Sequence, residues 1–249
     1  MEVSFDVNPM IKRLDALKGV QVPFATSVAI NNVAKRARAD LKFEMRKVFD
    51  RPVPYTQNSI YIKSSTKDDL YAEVGLKEFA GKGNAAADYL LPQIQGGPAY
   101  AHRFQKALRQ KGILAPNEYA RPTQSDFLRF NQYGNVTPGQ YSQILYGLSA
   151  FRDSSSFTYR KNAKRKRAPK ITAVSKSMPG KHAQRYLAPG IYLQTEKAIE
   201  NGESALFWIG KTPNLRAIFK YQDVGAKSIR ANWNQEFGKA LAKAIATAK

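Results

Sequence analysis

The chain has 249 residues, a net charge of +21 and no cysteine, which excludes disulfides, a thiol nucleophile and a thiolate zinc site. Its hydrophobic content of 43% is that of a globular protein rather than a disordered one. The excess of positive charge predicts attraction to nucleic acid, anionic membranes or acidic protein surfaces.

The start of the chain lacks the pattern of a targeting segment. Residues 1–17 contain Glu2, Asp6 and Asp15 and no long apolar stretch, so neither a secretory signal nor a membrane span is expected. We therefore expect a protein that is made in a cytoplasm and has no membrane partner.

The first strong element is an amphipathic helix over residues 24–50. Apolar residues such as Val33, Ala37 and Leu41 recur at spacings of three and four, and basic residues fill much of the remaining surface. Pro52 prevents the helix from continuing further.

A hairpin follows, with alternating strands over 59–65 and 70–76 joined by a polar turn. The next predicted elements are short helices over 84–95 and 98–111 and a loop rich in proline and asparagine over 113–123. A Thr-Pro pair then offers an N-cap and a first-turn proline for a helix over 137–149.

The C-terminal part begins with a basic segment over about 154–185, which we expect to be flexible. Three runs over 186–194, 204–209 and 215–222 are typical of strands. A second long amphipathic helix is predicted over 227–247. Its apolar positions follow one another at intervals of four: Ile229, Trp233, Phe237, Leu241 and Ile245.

These elements predict an α+β fold in which one antiparallel sheet is packed by the two long helices. We expect a single domain over 1–249, with a helical and loop insertion at about 80–150 and the basic loop described above. Two separate domains are the alternative.

The sequence shows no pattern of a catalytic or metal site. The two histidines, His102 and His182, are far apart, and neither has an acid at a metal-ligand spacing such as HExxH. The stretch Gly81-Lys82-Gly83-Asn84 lacks the spacing of a phosphate-binding loop. We therefore expect no enzyme, no cofactor and no bound metal.

The strongest local signal is a concentration of positive charge without any acid between residues 154 and 195. We interpret it as a contact surface for DNA, another polyanion or an acidic protein, directed at charge and not at base sequence. A solvated loop without a specific partner and a nuclear localisation signal are the alternatives. The basic residues are Arg160, Lys161, Lys164, Arg165, Lys166, Arg167, Lys170, Lys176, Lys181 and Arg185.

Several tyrosines fall in predicted loops, where long segments without regular structure often become ordered in an assembly. Tyrosine is enriched at protein interfaces. The candidate subunit-interface residues are Tyr55, Tyr119, Tyr133 and Tyr141.

Three stretches carry a resemblance to a protein family. They are the basic helix FATSVAINNVAKRARADLKFEMRKVFDRP with the YTQNS that follows it, HRFQKALRQKGIL (102–114) and NWNQEFGKALAKAIATA (232–248). Together they resemble the tail-completion or minor tail proteins of bacteriophages, the group that includes the lambda minor tail protein Z. The basic segment at 159–170 and the insertion at 80–150 match no part of that pattern.

The resemblance implies a structural virion protein with no catalytic residues. It would be a homo-oligomeric ring of six or twelve copies at the head–tail junction, assembled in the host cytoplasm. Its partners would be other neck and tail proteins and possibly the packaged DNA. The alternative from a different class is a free, sequence-independent nucleic-acid-binding protein that acts through its basic arm. A nuclease would need a cluster of acids brought together by the fold.

Overall fold

The computed structural model describes residues 21–81, 83–148, 150, 171–174, 188–194 and 204–247. The helices in this part of the chain are α1 (Val22–Val48), α2 (Pro54–Gln57), α3 (Ala86–Gln95), α4 (Arg103–Gln110), α5 (Pro138–Gly147) and α6 (Tyr221–Thr247). The strands are β1 (Ile60–Lys63), β2 (Glu73–Leu76), β3 (Gly97–Pro98), β4 (Glu118–Pro122), β5 (Ile171–Val174), β6 (Gly190–Leu193), β7 (Ala205–Lys211) and β8 (Asn214–Leu215).

The fold is mixed α+β with antiparallel strands and a long helix near each end, which confirms the predicted fold class. Its contacts group the chain into two compact units. The helical unit comprises the described residues of Met1–Ala80, Ala85–Leu90 and Ala217–Lys249. The sheet unit comprises Gly81–Asn84 and Leu91–Arg216, again where described. The single domain over 1–249 stays a prediction.

The helical unit is built on the packing of α1 against α6. At the centre of this contact lie four buried alanines, Ala25 and Ala29 from α1 and Ala240 and Ala244 from α6. Because alanine is short, the two helix backbones approach closely along this seam. The larger residues of α6 therefore lie at the margin of the contact.

One ion pair crosses the same helix pair. The guanidinium of Arg36 donates two hydrogen bonds to Oε1 of Glu236, from Nε at 3.0 Å and from Nη2 at 2.8 Å. Glu236 is buried, whereas Arg36 is about half exposed. The pair thus satisfies a carboxylate that would otherwise be costly to bury.

The hairpin of β1 and β2 packs against α1 and forms its own two-stranded sheet, with Ile60 opposite Leu76. The side chains of Ser27 and Asn31 donate hydrogen bonds to the carbonyl of Ser65 at 3.1 and 2.9 Å. These bonds fix the end of β1 to the helix. The hairpin therefore does not join the later strands in the single sheet that the sequence predicted.

The sheet unit holds a four-stranded antiparallel sheet in the order β4-β7-β6-β5. Phe207 of β7 is fully buried, with its ring 4.9 Å from that of Phe104 on α4. Leu108 and Ile144 bring α4 and α5 onto the same core. Gly190 is needed where β6 passes β7, since a Cβ there would lie 2.8 Å from the carbonyl oxygen of Phe207.

Three predicted segments differ in the structure. The predicted loop 113–123 contains β4, an edge strand that pairs with β7. The predicted strand 215–222 is wrong beyond Leu215, and α6 already begins at Tyr221, six residues before the predicted start. Ile171–Val174, inside the segment predicted to be flexible, forms the strand β5 because it pairs with β6.

Candidate interaction surface

The described residues hold no group of three or more histidine, aspartate or glutamate side chains that could bind a metal ion. His102 is partly buried, and its Nδ1 lies 3.2 Å from the side-chain nitrogen of Asn84. Burial, followed by the positive charge of Lys106, lowers the pKa of His102. His102 therefore has the surroundings of a structural residue. Within the same ranges, no helix is both long and apolar enough to cross a membrane.

All ten predicted basic contact residues, from Arg160 to Arg185, lie outside the described residues, as does His182. Their role stays a prediction.

The four candidate interface tyrosines lie in different surroundings. Tyr55 on α2 is 47% exposed, and Tyr133 is partly exposed next to a turn at Gly134. Tyr119 is a residue of β4 whose pKa is raised by burial. Tyr141 packs with its ring 4.8 Å from that of Phe104, and burial raises its pKa to about 12. Tyr141 is therefore part of the core of the sheet unit.

An apolar groove lies within the helical unit, between α1, the hairpin and α6. It has a volume of about 520 Å³. Its walls include Ile30 of α1, Leu70 and Tyr71 before β2, and Ile229 and Trp233 of α6. Leu70, Tyr71 and Ile229 are exposed at its edge, so the groove is open to solvent.

The groove continues into an apolar stripe along α6. The most buried residues of α6 are Ser228, Glu236, Ala240 and Ala244, each next to a large apolar residue or one turn from it. The predicted apolar positions lie beside this seam instead. Ile229 is 45% exposed and Ile245 is 52% exposed, with Trp233, Phe237 and Leu241 half-buried between them.

We call this stripe, Ile229, Trp233, Phe237, Leu241 and Ile245, together with the groove, the open apolar face. Trp233 and Phe237 stack with ring centroids 5.6 Å apart, which gives the middle of the face an ordered aromatic surface. At a rise of 1.5 Å per residue the stripe is roughly 24 Å long. Its exposed ends are Ile229 and Ile245, while Trp233, Phe237 and Leu241 also pack against the alanine seam.

Sequence reasoning found the residues of this stripe but assigned them to the core. The sequence also holds a second, adjacent row on the same helix that is small or polar: Ser228, Asn232, Glu236, Ala240 and Ala244. In the structure the seam with α1 runs along the row that contains Ala240 and Ala244, and Trp233, Phe237 and Leu241 of the large row pack against the edge of that seam.

Comparisons of this chain with protein-family models, with curated proteins and with solved structures found no match. The resemblance to phage tail-completion proteins therefore stays a prediction that rests on the sequence patterns quoted above.

Proposed function

We propose that this protein is a structural subunit of a bacteriophage virion, a tail-completion or neck protein that forms a homo-oligomeric ring at the head–tail junction. The ring would hold six or twelve copies and border the path of the packaged DNA. The observation that carries the proposal is the open apolar face of the helical unit. It adds to the sequence resemblance a surface that an assembly subunit needs and that a free, soluble protein has reason to avoid.

The occupant we propose for this face is a second copy of the chain. A ring needs a contact that repeats between identical neighbours, and each copy of this chain carries +21. Two such copies repel one another, so their contact must rest on apolar burial rather than on charge complementarity. The five residues of the stripe are uncharged and fit this requirement.

The oligomeric state of the full chain tests the ring, by native mass spectrometry and light scattering at about 0.1 and 0.5 M salt. We expect assembly to strengthen with salt, because screening removes repulsion while apolar burial is kept. Ile229→Asp with Ile245→Asp should give monomers. As a matched control, Phe24→Asp with Phe43→Asp changes two exposed residues of α1 outside the face and should keep the ring.

A wild-type chain that stays monomeric at both salt concentrations would contradict the ring. So would equal dissociation of both double variants. The place in the virion is tested separately, by the copy number of the protein in purified phage particles relative to the portal protein. A ratio that corresponds to six or twelve copies supports the neck assignment, and absence from the particle overturns it.

The second candidate is a free nucleic-acid-binding protein that acts through its basic residues. The net charge of +21 favours this second candidate. The candidate predicts that binding weakens as salt rises, which is opposite to the salt dependence expected for ring assembly. Binding to nucleic acid releases counterions and weakens as salt rises, whereas apolar assembly does not. Measuring both properties on one preparation separates the two functions.

A further inference from the structure

A row of positive charge lies on α1, in residues that do not line the apolar groove. Arg38, Lys42 and Arg46 are four residues apart, so they lie on one side of the helix at steps of about 6 Å. Lys77, just after β2, adds a fourth charge. We call these four residues the basic row.

The base of the hairpin positions two of the four residues of the row, Lys42 and Lys77. Nζ of Lys42 donates a hydrogen bond to the side-chain oxygen of Asn58 at 2.8 Å. Ser59 follows Asn58 in the chain, and its carbonyl accepts a hydrogen bond from the backbone nitrogen of Lys77 at 2.9 Å. The two lysines are therefore positioned by adjacent residues, one from the helix and one from the hairpin.

The four cations act on one another electrostatically. Burial, and then the charges of Arg38, Arg46 and Lys77, lower the pKa of Lys42. The acids of α1 do not relieve this, because Asp40 and Glu44 project on the opposite side of the helix at about 100° per residue.

No carboxylate pairs with the row among the described residues. The two ion pairs found there join Arg36 to Glu236 and Arg51 to Asp50. Like charges at four-residue spacing destabilise a helix, so the row is unfavourable for the isolated fold. A bound polyanion would reverse that contribution.

We propose that Arg38, Lys42, Arg46 and Lys77 form a binding site for the phosphate backbone of duplex DNA. A straight helix that presents charges of one sign at regular steps suits a polymer whose own charges repeat regularly. Such contacts position the protein without reading base sequence. This DNA-binding site deepens the proposed function. It rests on that function only in assuming that the protein lies beside packaged DNA. It does not depend on the contact between copies in the ring.

The test is the fluorescence anisotropy of a labelled duplex of about 30 base pairs with the full chain, over about 50–300 mM salt. The variant R38Q/K42Q/R46Q/K77Q removes the row. The control K227Q/R230Q/K239Q/K243Q removes the same number of charges from exposed positions of α6. Circular dichroism and oligomer size are measured on both, so that folding and assembly are compared with the wild type.

Each phosphate contact contributes about 0.9 to the slope of log K against log salt. Loss of the row should make that slope shallower by roughly 3 to 4, whereas the control should change it by less than about 1. If the four-site variant fails to fold, Arg46→Gln and Lys77→Gln, both at exposed positions, should each lower the slope by about 1.

Equal changes in the two four-site variants, or an unchanged slope without the row, would overturn the proposal. It is also overturned if loss of the row abolishes binding to phosphatidylserine vesicles or polyglutamate but leaves the DNA slope intact. A monomer that binds DNA through the row refutes the ring alone, and a ring whose DNA binding ignores the row refutes this site alone.

Discussion

The helical unit and the sheet unit bury their apolar residues in different ways. The sheet unit places large side chains such as Phe104, Leu108 and Phe207 at its centre. The helical unit has alanines at the centre of the seam between α1 and α6, and its fully buried large residues, Leu41, Met45 and Phe219, are not part of that alanine cluster. Of the twelve large apolar side chains that are exposed among the described residues, nine belong to the helical unit.

This difference concerns how much apolar surface each unit removes from water. A centre made of alanines removes little apolar surface from water per residue, and burial of that surface is the main stabilising contribution to a fold. The seam between α1 and α6 therefore buries less apolar surface per residue than the centre of the sheet unit, and a second copy on the open apolar face, as proposed above, would add to the buried surface of the helical unit. The sheet unit leaves only Leu91, Tyr146 and Trp208 exposed among its described large apolar residues.

The largest effect that tests this comparison is expected from Phe207→Ala. Removal of this fully buried ring should lower the free energy of unfolding by about 3–5 kcal/mol, because it loses the burial of the ring and leaves a cavity. The chain has two tryptophans, Trp208 in the sheet unit and Trp233 in the helical unit. Their fluorescence during denaturant unfolding, in variants that keep only one of them, reports each unit separately.

The same measurement tests the predicted single domain. If Phe207→Ala shifts the transitions seen by both tryptophans together, the units unfold as one domain. If only the transition at Trp208 moves, the chain consists of two domains. A shift below about 1 kcal/mol at Trp208 would contradict the assignment of Phe207 to the centre of the core.

A smaller effect is expected from Ala29→Leu in the seam of the helical unit. Ala29 is fully buried, so the larger side chain must force the two helices apart, at a cost of about 2–3 kcal/mol in the transition seen by Trp233. Ala39→Leu is the matched control, because Ala39 lies on the exposed side of α1 and should change stability by less than about 0.5 kcal/mol. Equal stability of the two variants would mean that the seam is not closely packed.

The long helices were predictable because their apolar periodicity is sustained over many turns. The strand β4 was not, since its five residues, Glu118–Pro122, include proline and charged residues and resemble a loop. Its extended form is imposed by pairing with β7, which comes more than 80 residues later. The run from Leu215 has a strand pattern, but only Leu215 finds a partner, and Phe219 is instead buried beside the ring of Phe49.

The residues of the candidate surface were predictable from the sequence, but their exposure was not, because exposure also depends on where a distant part of the chain packs. A period of four identifies a stripe such as Ile229 to Ile245 but does not say whether the partner helix lies over it or beside it. The basic row was visible in the sequence at Arg38, Lys42 and Arg46. Its fourth member, Lys77, joins it only through the fold of the hairpin, which no spacing along the chain reveals.

The smallest effect expected is a difference between the units at alkaline pH. Burial raises the pKa of Tyr141 in the sheet unit and of Tyr221 in the helical unit to about 12. An unfolded tyrosine loses its proton near pH 10, while the folded one keeps it to about pH 12. The stabilisation is therefore complete below pH 10 and is lost as the pH rises to 12.

For Tyr141, which is largely buried, the loss should be about 1–2 kcal/mol after allowance for its exposed part. Tyr141→Phe should remove this loss from the transition at Trp208 and leave the one at Trp233 unchanged. Tyr221→Phe should do the reverse. It should also cost about 1 kcal/mol at neutral pH, because the hydroxyl of Tyr221 donates a hydrogen bond to the carbonyl of Val74 at 2.8 Å. If the Tyr141→Phe variant loses as much stability between pH 10 and 12 as the wild type does, the ring of Tyr141 is in contact with water. The core of the sheet unit would then be more accessible to solvent than the packing around Tyr141 implies.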